Sequence, residues 1–280
     1  MGGNHIYVVN WAGEKEPFSW QKVFNSARRV GADEKLAREI AQTIEKEVYP
    51  GIKTKEIFAR VLQILNQKNP PLATIFNLKE ALRRLGPTGF PFEKYVGRIL
   101  EEEGFKVELN QVVNGFCTRY EIDFLAEKEG VLYIGECKYH QLPGLRVDLT
   151  VALANYARFL DIQKGGKLES RPLKSILVTN TKFSSQAIEY SECVGVNLLG
   201  WKYPPQRSLE RIIDEKKLYP ITIFPEIDNY LIKIFFKKGI ILIGDLLGVE
   251  KNDLQKEGLS SEKIENLLEK AASVMGCFPS

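Results

Sequence analysis

The segment VLYIGECKYH, residues 131–140, most constrains what this chain can fold into. Val, Leu, Ile and Tyr following the turn KEG predict a strand, yet Glu136 and Lys138 stand in its middle. Side chains two apart on a strand share a face, so Glu136, Lys138 and His140 project to one side. An unpaired charge held against apolar packing costs several kcal/mol, comparable with the whole margin of stability of a small domain. These residues must therefore neutralise one another or serve a metal or a substrate.

The preceding strand, CTRYEIDFLAE, supplies a partner. Antiparallel neighbours joined by KEG bring Asp123 towards Glu136, so that two acids and a lysine converge. Hard divalent cations such as Mg²⁺ or Mn²⁺ are held by one or two carboxylates together with water and phosphate oxygens. Asp123 and Glu136 are thus candidate metal ligands, and Lys138 a candidate to orient a water or neutralise a transition state. Glu121 shares a face with Asp123 and is a further candidate ligand. A Glu-x-Lys on a strand is otherwise a solvated ion pair contributing little. His140 at the strand end is a weaker candidate phosphate contact. Arg146, Asn155 and Arg158, on or near the next helix, are candidate contacts to a nucleic-acid backbone or members of a solvated face.

Three segments are predicted along the chain. Residues 1–87 begin with a small β-hairpin, strand HIYVVN and a glycine turn, followed by a helical bundle. Helices follow from Ser19, through ADEKLAREIAQTIEKEV, from Thr54, and through PLATIFNLKEALRRLG as one element. The turn formers GPTGFP mark a boundary. Residues 88–206 then read as a helix with Phe92, Val96, Ile99 and Leu100 on one face, three strands, a helix, strand KSILVTN, a helix and strand VNLLGW, an α/β order with a mixed sheet. Residues 207–280 read as short helices separated by Gly or Ser turns.

Composition narrows the function classes. With 39 basic and 36 acidic side chains in 280 residues, the net charge of +3 does not by itself announce a nucleic-acid binder. Cys117, Cys137, Cys193 and Cys277 form no Cys-x-x-Cys pair, and His5 and His140 are the other soft-metal candidates, so neither zinc nor a disulfide framework is indicated. A reducing cytoplasm and no membrane partner are expected, because no signal pattern opens the chain and apolar runs such as GIILIG are too short to span a bilayer. KGGKLES is not a phosphate-binding P-loop.

Asp123 followed thirteen residues later by Glu136-Cys137-Lys138 resembles the acid and Glu-x-Lys signature of the PD-(D/E)xK nuclease superfamily. Over about 115 residues, GFPFEKYVGRILEEEGFKVELN through YEIDFLAE, GECKYH and LVTNTKFSSQAIEYSECVGVNLLGW resemble the Mrr-type restriction endonuclease domain. The resemblance implies a restriction-endonuclease-like mixed β-sheet core flanked by helices. It assigns catalytic roles to Asp123, Glu136 and Lys138, with Glu93 of the first helix supporting the metal site. Ile122 stands where the superfamily name has Pro, and Glu136 where many Mrr-type domains carry Gln.

The first 85 residues resemble the ATP-cone, a regulatory nucleotide-binding domain. Gly13, Glu16, Pro17, Phe18 and Lys22 fit its opening motif, and Thr54 fits the start of its third helix. That resemblance implies ATP or dATP as an effector bound through Lys15, Glu16, Lys22 and Thr54. Asn10-Trp11-Ala12 replaces the family's Lys-Arg-Asp and removes two positive charges; either Lys15, Lys22 and Arg83 or Lys79 compensate, or the domain serves only in assembly. FFKKGIILIGDLLGVEKNDLQKEGLSSEKIENLLEKA resembles helix-hairpin-helix modules, keeping Gly258 but carrying Ser260 where a second glycine is common; Lys233, Lys237 and Lys238 form a basic edge or a solvated face.

The sequence thus predicts a Mg²⁺-dependent DNA endonuclease with a nucleotide-sensing domain. The rival is a non-catalytic, nucleotide-responsive DNA-binding regulator, and a third reading changes the substrate to DNA ends or RNA. Cutting both strands of a duplex needs two active sites or two visits, which admits a homodimer.

Overall fold

Gly130 and the preceding Glu129 both adopt positive φ, +76° and +53°, and this turn joins β4 (Arg119–Lys128) to β5 (Val131–Lys138). Two residues with positive φ match the right-handed twist of the strands they connect. β3 (Lys106–Asn114) pairs antiparallel with β4, and β5 pairs in parallel with β7 (Leu173–Thr179), which pairs in parallel with β9 (Asn197–Leu199). The sheet order is β3-β4-β5-β7-β9, a mixed sheet in an α/β architecture of thirteen α-helices among the described residues. The computed structural model describes residues 6–86, 88–166, 168 and 171–276; His5, Pro87, part of the KGGKLES loop and Cys277 lie outside the described residues.

The described residues divide into two compact units, one comprising the chain up to Ala81 together with residues from Ile221 onward, the other Leu82–Pro220. In the second unit, α6 (Phe90–Glu102) buries Phe92, Tyr95, Val96, Ile99 and Leu100, the apolar spacing expected for that helix. α7 (Leu149–Lys164), capped by Asp148, packs Ile162 and Phe159 against Ile122 and Ile134. α8 (Ser185–Val194), capped by Ser184, packs Ala187 with Leu177, Phe183 and Leu198. A short parallel pair, β6 (Arg146–Val147) with β8 (Lys182–Phe183), was not expected; it fixes the chain entering α7. α9 (Leu209–Lys216) closes the unit, with Arg207 and Lys216 both paired to Glu103, and Tyr95 donating its hydroxyl to the Leu218 carbonyl at 2.7 Å.

In the first unit, β1 (Tyr7–Val9) and β2 (Lys15–Pro17) form the expected hairpin, whose turn is organised by Asn10: its Oδ1 accepts the amides of Ala12 and Glu14. α1 (Trp20–Arg29) is capped by Ser19, α2 (Glu34–Glu47) by Asp33, and α3 runs Thr54–Lys68. The next stretch, expected as one helix, is two: α4 (Pro70–Phe76) ends at Asn77, whose carbonyl then accepts the amides of Glu80 and Ala81 to start α5 (Leu78–Arg83). The C-terminal part supplies α10 (Asn229–Lys237), α11 (Ile243–Leu247), α12 (Lys251–Gln255) and α13 (Ser261–Gly276), the short helices expected there. α13 packs against α4, and Thr222 donates to the Ala81 carbonyl at 2.8 Å, so both ends of the chain build this unit. No helix among the described residues is long and apolar enough to cross a membrane.

One glycine sets the geometry of the central strands. A Cβ on Gly135 would lie 2.1 Å from the ring of Phe124, which is fully buried opposite it on β4. Gly135→Ala is therefore expected to destabilise the fold by about 1–3 kcal/mol, the range for forcing a methyl into a packed core. Urea unfolding followed by circular dichroism measures it.

Candidate active site

The ladder between β4 and β5 stops at the pair Phe124↔Gly135. Beyond it, β4 pairs only with β3, and β5 continues through Lys138 paired only with β7. Asp123 and Glu136 face each other one step past the last pair, where the strands have parted. Asn110, opposite Asp123 on β3, has φ +53° and interrupts the ladder on that side too. Asn is one of the few residues that tolerate this conformation. Asp123 Oδ2 accepts the Cys137 amide at 2.6 Å, so a carboxylate takes the place of a strand carbonyl in the gap.

Glu136 is 6% exposed. Its Oε1 lies 2.6 Å from Lys138 Nζ, and its Oε2 pairs with the Arg158 guanidinium of α7. The shared face expected for Glu136 and Lys138 is thus present, and the buried charge is neutralised from two sides. Lys138 keeps 40% of its side chain exposed. Glu93, in the first turn of α6, is half-buried; burial, then the charges of Asp123 and Glu136, push its carboxyl up to about 7 against the pull of Lys138. The Asp123 carboxyl is also raised, first by burial, with the Cys137 amide opposing and Glu136 adding. Three carboxylates share two cations here, and burial together with this surplus of negative charge makes Glu93 and Asp123 hold their protons to higher pH.

The donors are hard oxygens, and a divalent cation would relieve the repulsion among them, so Asp123 and Glu136 fit Mg²⁺ or Mn²⁺. Among the described residues no three His, Cys, Asp or Glu side chains close into a ready cage; Glu93 feels the charges of Asp123 and Glu136. Cys137 is buried, with its thiol pushed well above the ordinary range by burial.

The other sequence candidates separate. Glu121 is exposed on β4. His140 is clamped by Asn180, whose side chain accepts the His140 amide at 2.9 Å and donates to its carbonyl at 2.8 Å. Burial, then Lys138, lowers the His140 imidazole below its ordinary range. Arg146 is exposed on β6, and Asn155 is buried, donating to Ser175 Oγ at 2.8 Å. Arg158, expected as a contact to a nucleic-acid backbone or a member of a solvated face, is instead the partner of Glu136. The signal lay in the sequence: a strand Glu facing the core needs more than one lysine, and Arg158 is the cation within the otherwise apolar run of α7.

In the first unit, Lys15 and Glu16 lie on β2, and Lys22 on α1 pairs with Glu16 at 3.2 Å. Val9 pairs with Lys15 on one side and bridges Lys53 on the other, which sets the start of α3 beside the hairpin. Thr54 opens α3, and its hydroxyl oxygen is buried without a hydrogen-bond partner. In the C-terminal part, Gly258 has φ +86° and Ser260 accepts the Lys263 amide at 3.2 Å, capping α13, which accounts for Ser rather than Gly at that position. Lys238 pairs with Glu257 at 3.1 Å, while Lys233 and Lys237 are exposed.

This is a mixed α/β protein whose distinguishing feature is a carboxylate and lysine cluster at a parted strand pair. Residues 219–275 match the family described as AF1548-like, C-terminal. An uncharacterized protein of Archaeoglobus fulgidus is 38% identical over 181 residues, which are 65% of this chain and all of that one. The crystal structure of a protein of unknown function, AF1548, superposes with a TM-score of 0.59 at 36% identity, covering 68% of this chain and 99% of that one. The chain belongs to the AF1548-like family. A repair endonuclease from Pyrococcus abyssi aligns at 17% identity over 37% of this chain and 41% of that one, with a TM-score of 0.28.

The raised Glu93 carboxyl has a measurable consequence. A carboxyl whose folded pKa exceeds its unfolded value binds more protons in the folded state, so stability falls as pH rises from about 4.5 to about 7. With chelator present, the Glu93→Gln protein is expected to lose less stability over that window and to be the more stable of the two at pH 7, read from thermal unfolding at stepped pH.

Proposed function

We propose that this protein is a metal-dependent DNA endonuclease of restriction-endonuclease-like, Mrr-type fold, with Asp123 and Glu136 holding Mg²⁺ or Mn²⁺. The observation that carries this reading is the pair of carboxylates facing each other where β4 and β5 part, with Lys138 ion-paired beside them. When bound, the cation would activate water and stabilise the charge developing on a phosphate under in-line attack. Lys138, half-exposed, donates to the attacking water or neutralises the phosphoryl oxygens. Glu93, in the first turn of α6, would support the metal site. Asp123 is held in place by the Cys137 amide, so its ligating geometry is set before substrate arrives.

The first unit is read as an ATP-cone, with ATP or dATP as effector. Lys15, Glu16 and Lys22 at the hairpin and Thr54 at the start of α3 are the residues assigned to the nucleotide, acting by differential binding to two states of the protein. The C-terminal helices, in the helix-hairpin-helix reading, add contacts to DNA. A cytoplasmic setting accords with the free thiols of Cys117, Cys137 and Cys193. The rival reading is a non-catalytic, nucleotide-responsive regulator that binds DNA without cutting.

Supercoiled plasmid incubated with the protein and Mg²⁺ or Mn²⁺, with and without ATP, tests the proposal. Nicking is expected to require metal and to fall about 100-fold or more in Asp123→Ala and Lys138→Ala. An ATP-dependent change in rate would give the first unit its regulatory role. Absence of cutting under every condition, with DNA binding intact in all three proteins, would establish the regulator instead; end-labelled duplex, single strand and RNA identify the substrate.

A further inference from the structure

We infer that Arg158 competes with the metal for Glu136, releasing its guanidinium to a substrate phosphate once the cation binds. This rests on the reading of Asp123 and Glu136 as metal ligands.

The first observation is how α7 is fixed. Asn155, Arg158 and Asp161 recur every three residues, which places them in a row along one side of the helix. Each is attached to a different part of the sheet, in the order of the strands. Asn155 donates to Ser175 Oγ on β7 at 2.8 Å, and Arg158 pairs with Glu136 on β5. Asp161 accepts the Cys117 amide at 3.0 and 3.1 Å, and its backbone carbonyl accepts the Phe116 amide at 2.9 Å, in the loop between β3 and β4. Attachments one turn before and one turn after Arg158 hold its backbone still. Its guanidinium pairs with Glu136 while 26% of the side chain stays exposed.

The second observation is the occupancy of Glu136. One oxygen faces Lys138 and the other Arg158, so a cation shared with Asp123 enters against the guanidinium as well as against Lys138. Arginine presents a planar fork of donors that matches carboxylate and phosphate alike, so one side chain can serve Glu136 without substrate and a phosphate with it. A partner that held Glu136 in place for the metal would leave metal binding weaker when removed. An antagonist leaves it tighter while cleavage suffers, and that split separates the two roles.

The experiment is a Mn²⁺ titration followed by electron paramagnetic resonance, without DNA, on the full chain, Arg158→Gln, Arg158→Lys and Asp123→Asn, each checked for folding by circular dichroism. Arg158→Gln is expected to bind Mn²⁺ about three- to tenfold more tightly than the parent, through loss of one nearby positive charge, and to cut DNA about tenfold or more slowly at saturating metal. Arg158→Lys, which keeps the charge, is expected to bind Mn²⁺ within about twofold of the parent yet to cut slowly, for want of the fork. If the parent binds Mn²⁺ through Asp123 and Arg158→Gln binds it equally or more weakly, the competition is wrong and the metal site stands. If the parent and Asp123→Asn bind Mn²⁺ alike, the metal reading itself fails and the inference with it.

Discussion

The single bond from the Cys137 amide to Asp123 Oδ2 is what the rest of this structure is arranged around. Had the β4–β5 ladder continued, Asp123 and Glu136 would be an ordinary cross-strand pair of like charges, which destabilises a sheet. The strands part instead, and the carboxylate fills the vacated acceptor position. Phe124 packed on Gly135 marks the last regular pair, and Asn110 with its positive φ relieves β3 on the other side. Continuity of β5 with β7 keeps Glu136 and Lys138 in strand geometry while their neighbour departs.

Electrostatics then follow from burial. Glu136 could not be enclosed at 6% exposure with one half-exposed lysine as its partner, and Arg158 completes the neutralisation. Breaking such a pair is costly because it strands a charge, whereas Glu93 and Asp123 absorb the remaining imbalance by holding their protons to higher pH. The cluster is arranged to receive positive charge, which is why the proposed chemistry is built on a cation.

Much of this was legible in the sequence, for local reasons. Alternation and the KEG turn gave the β4–β5 hairpin, Glu136 and Lys138 two apart gave a shared face, and the Ser19 cap marked a helix start. What escaped depends on tertiary contacts. The helix break at Asn77 leaves no Gly or Pro behind it, and β6 and β8, two residues each, are too short to show a period. The parting of β4 from β5 exists only in register, and Arg158 finds Glu136 across 22 residues of chain. That the C-terminal helices pack with α4 is likewise a matter of long-range packing, invisible to a window of any helical length.

The central claim is that Asp123 and Glu136 share a cation. Crystals of the protein soaked in Mn²⁺ and measured near the manganese absorption edge would show it directly. An anomalous peak between the two carboxylates, lost in Asp123→Asn crystals, is the predicted result; saturating Mn²⁺ with no peak there, while both side chains remain ordered and paired as in the metal-free protein, would contradict the account.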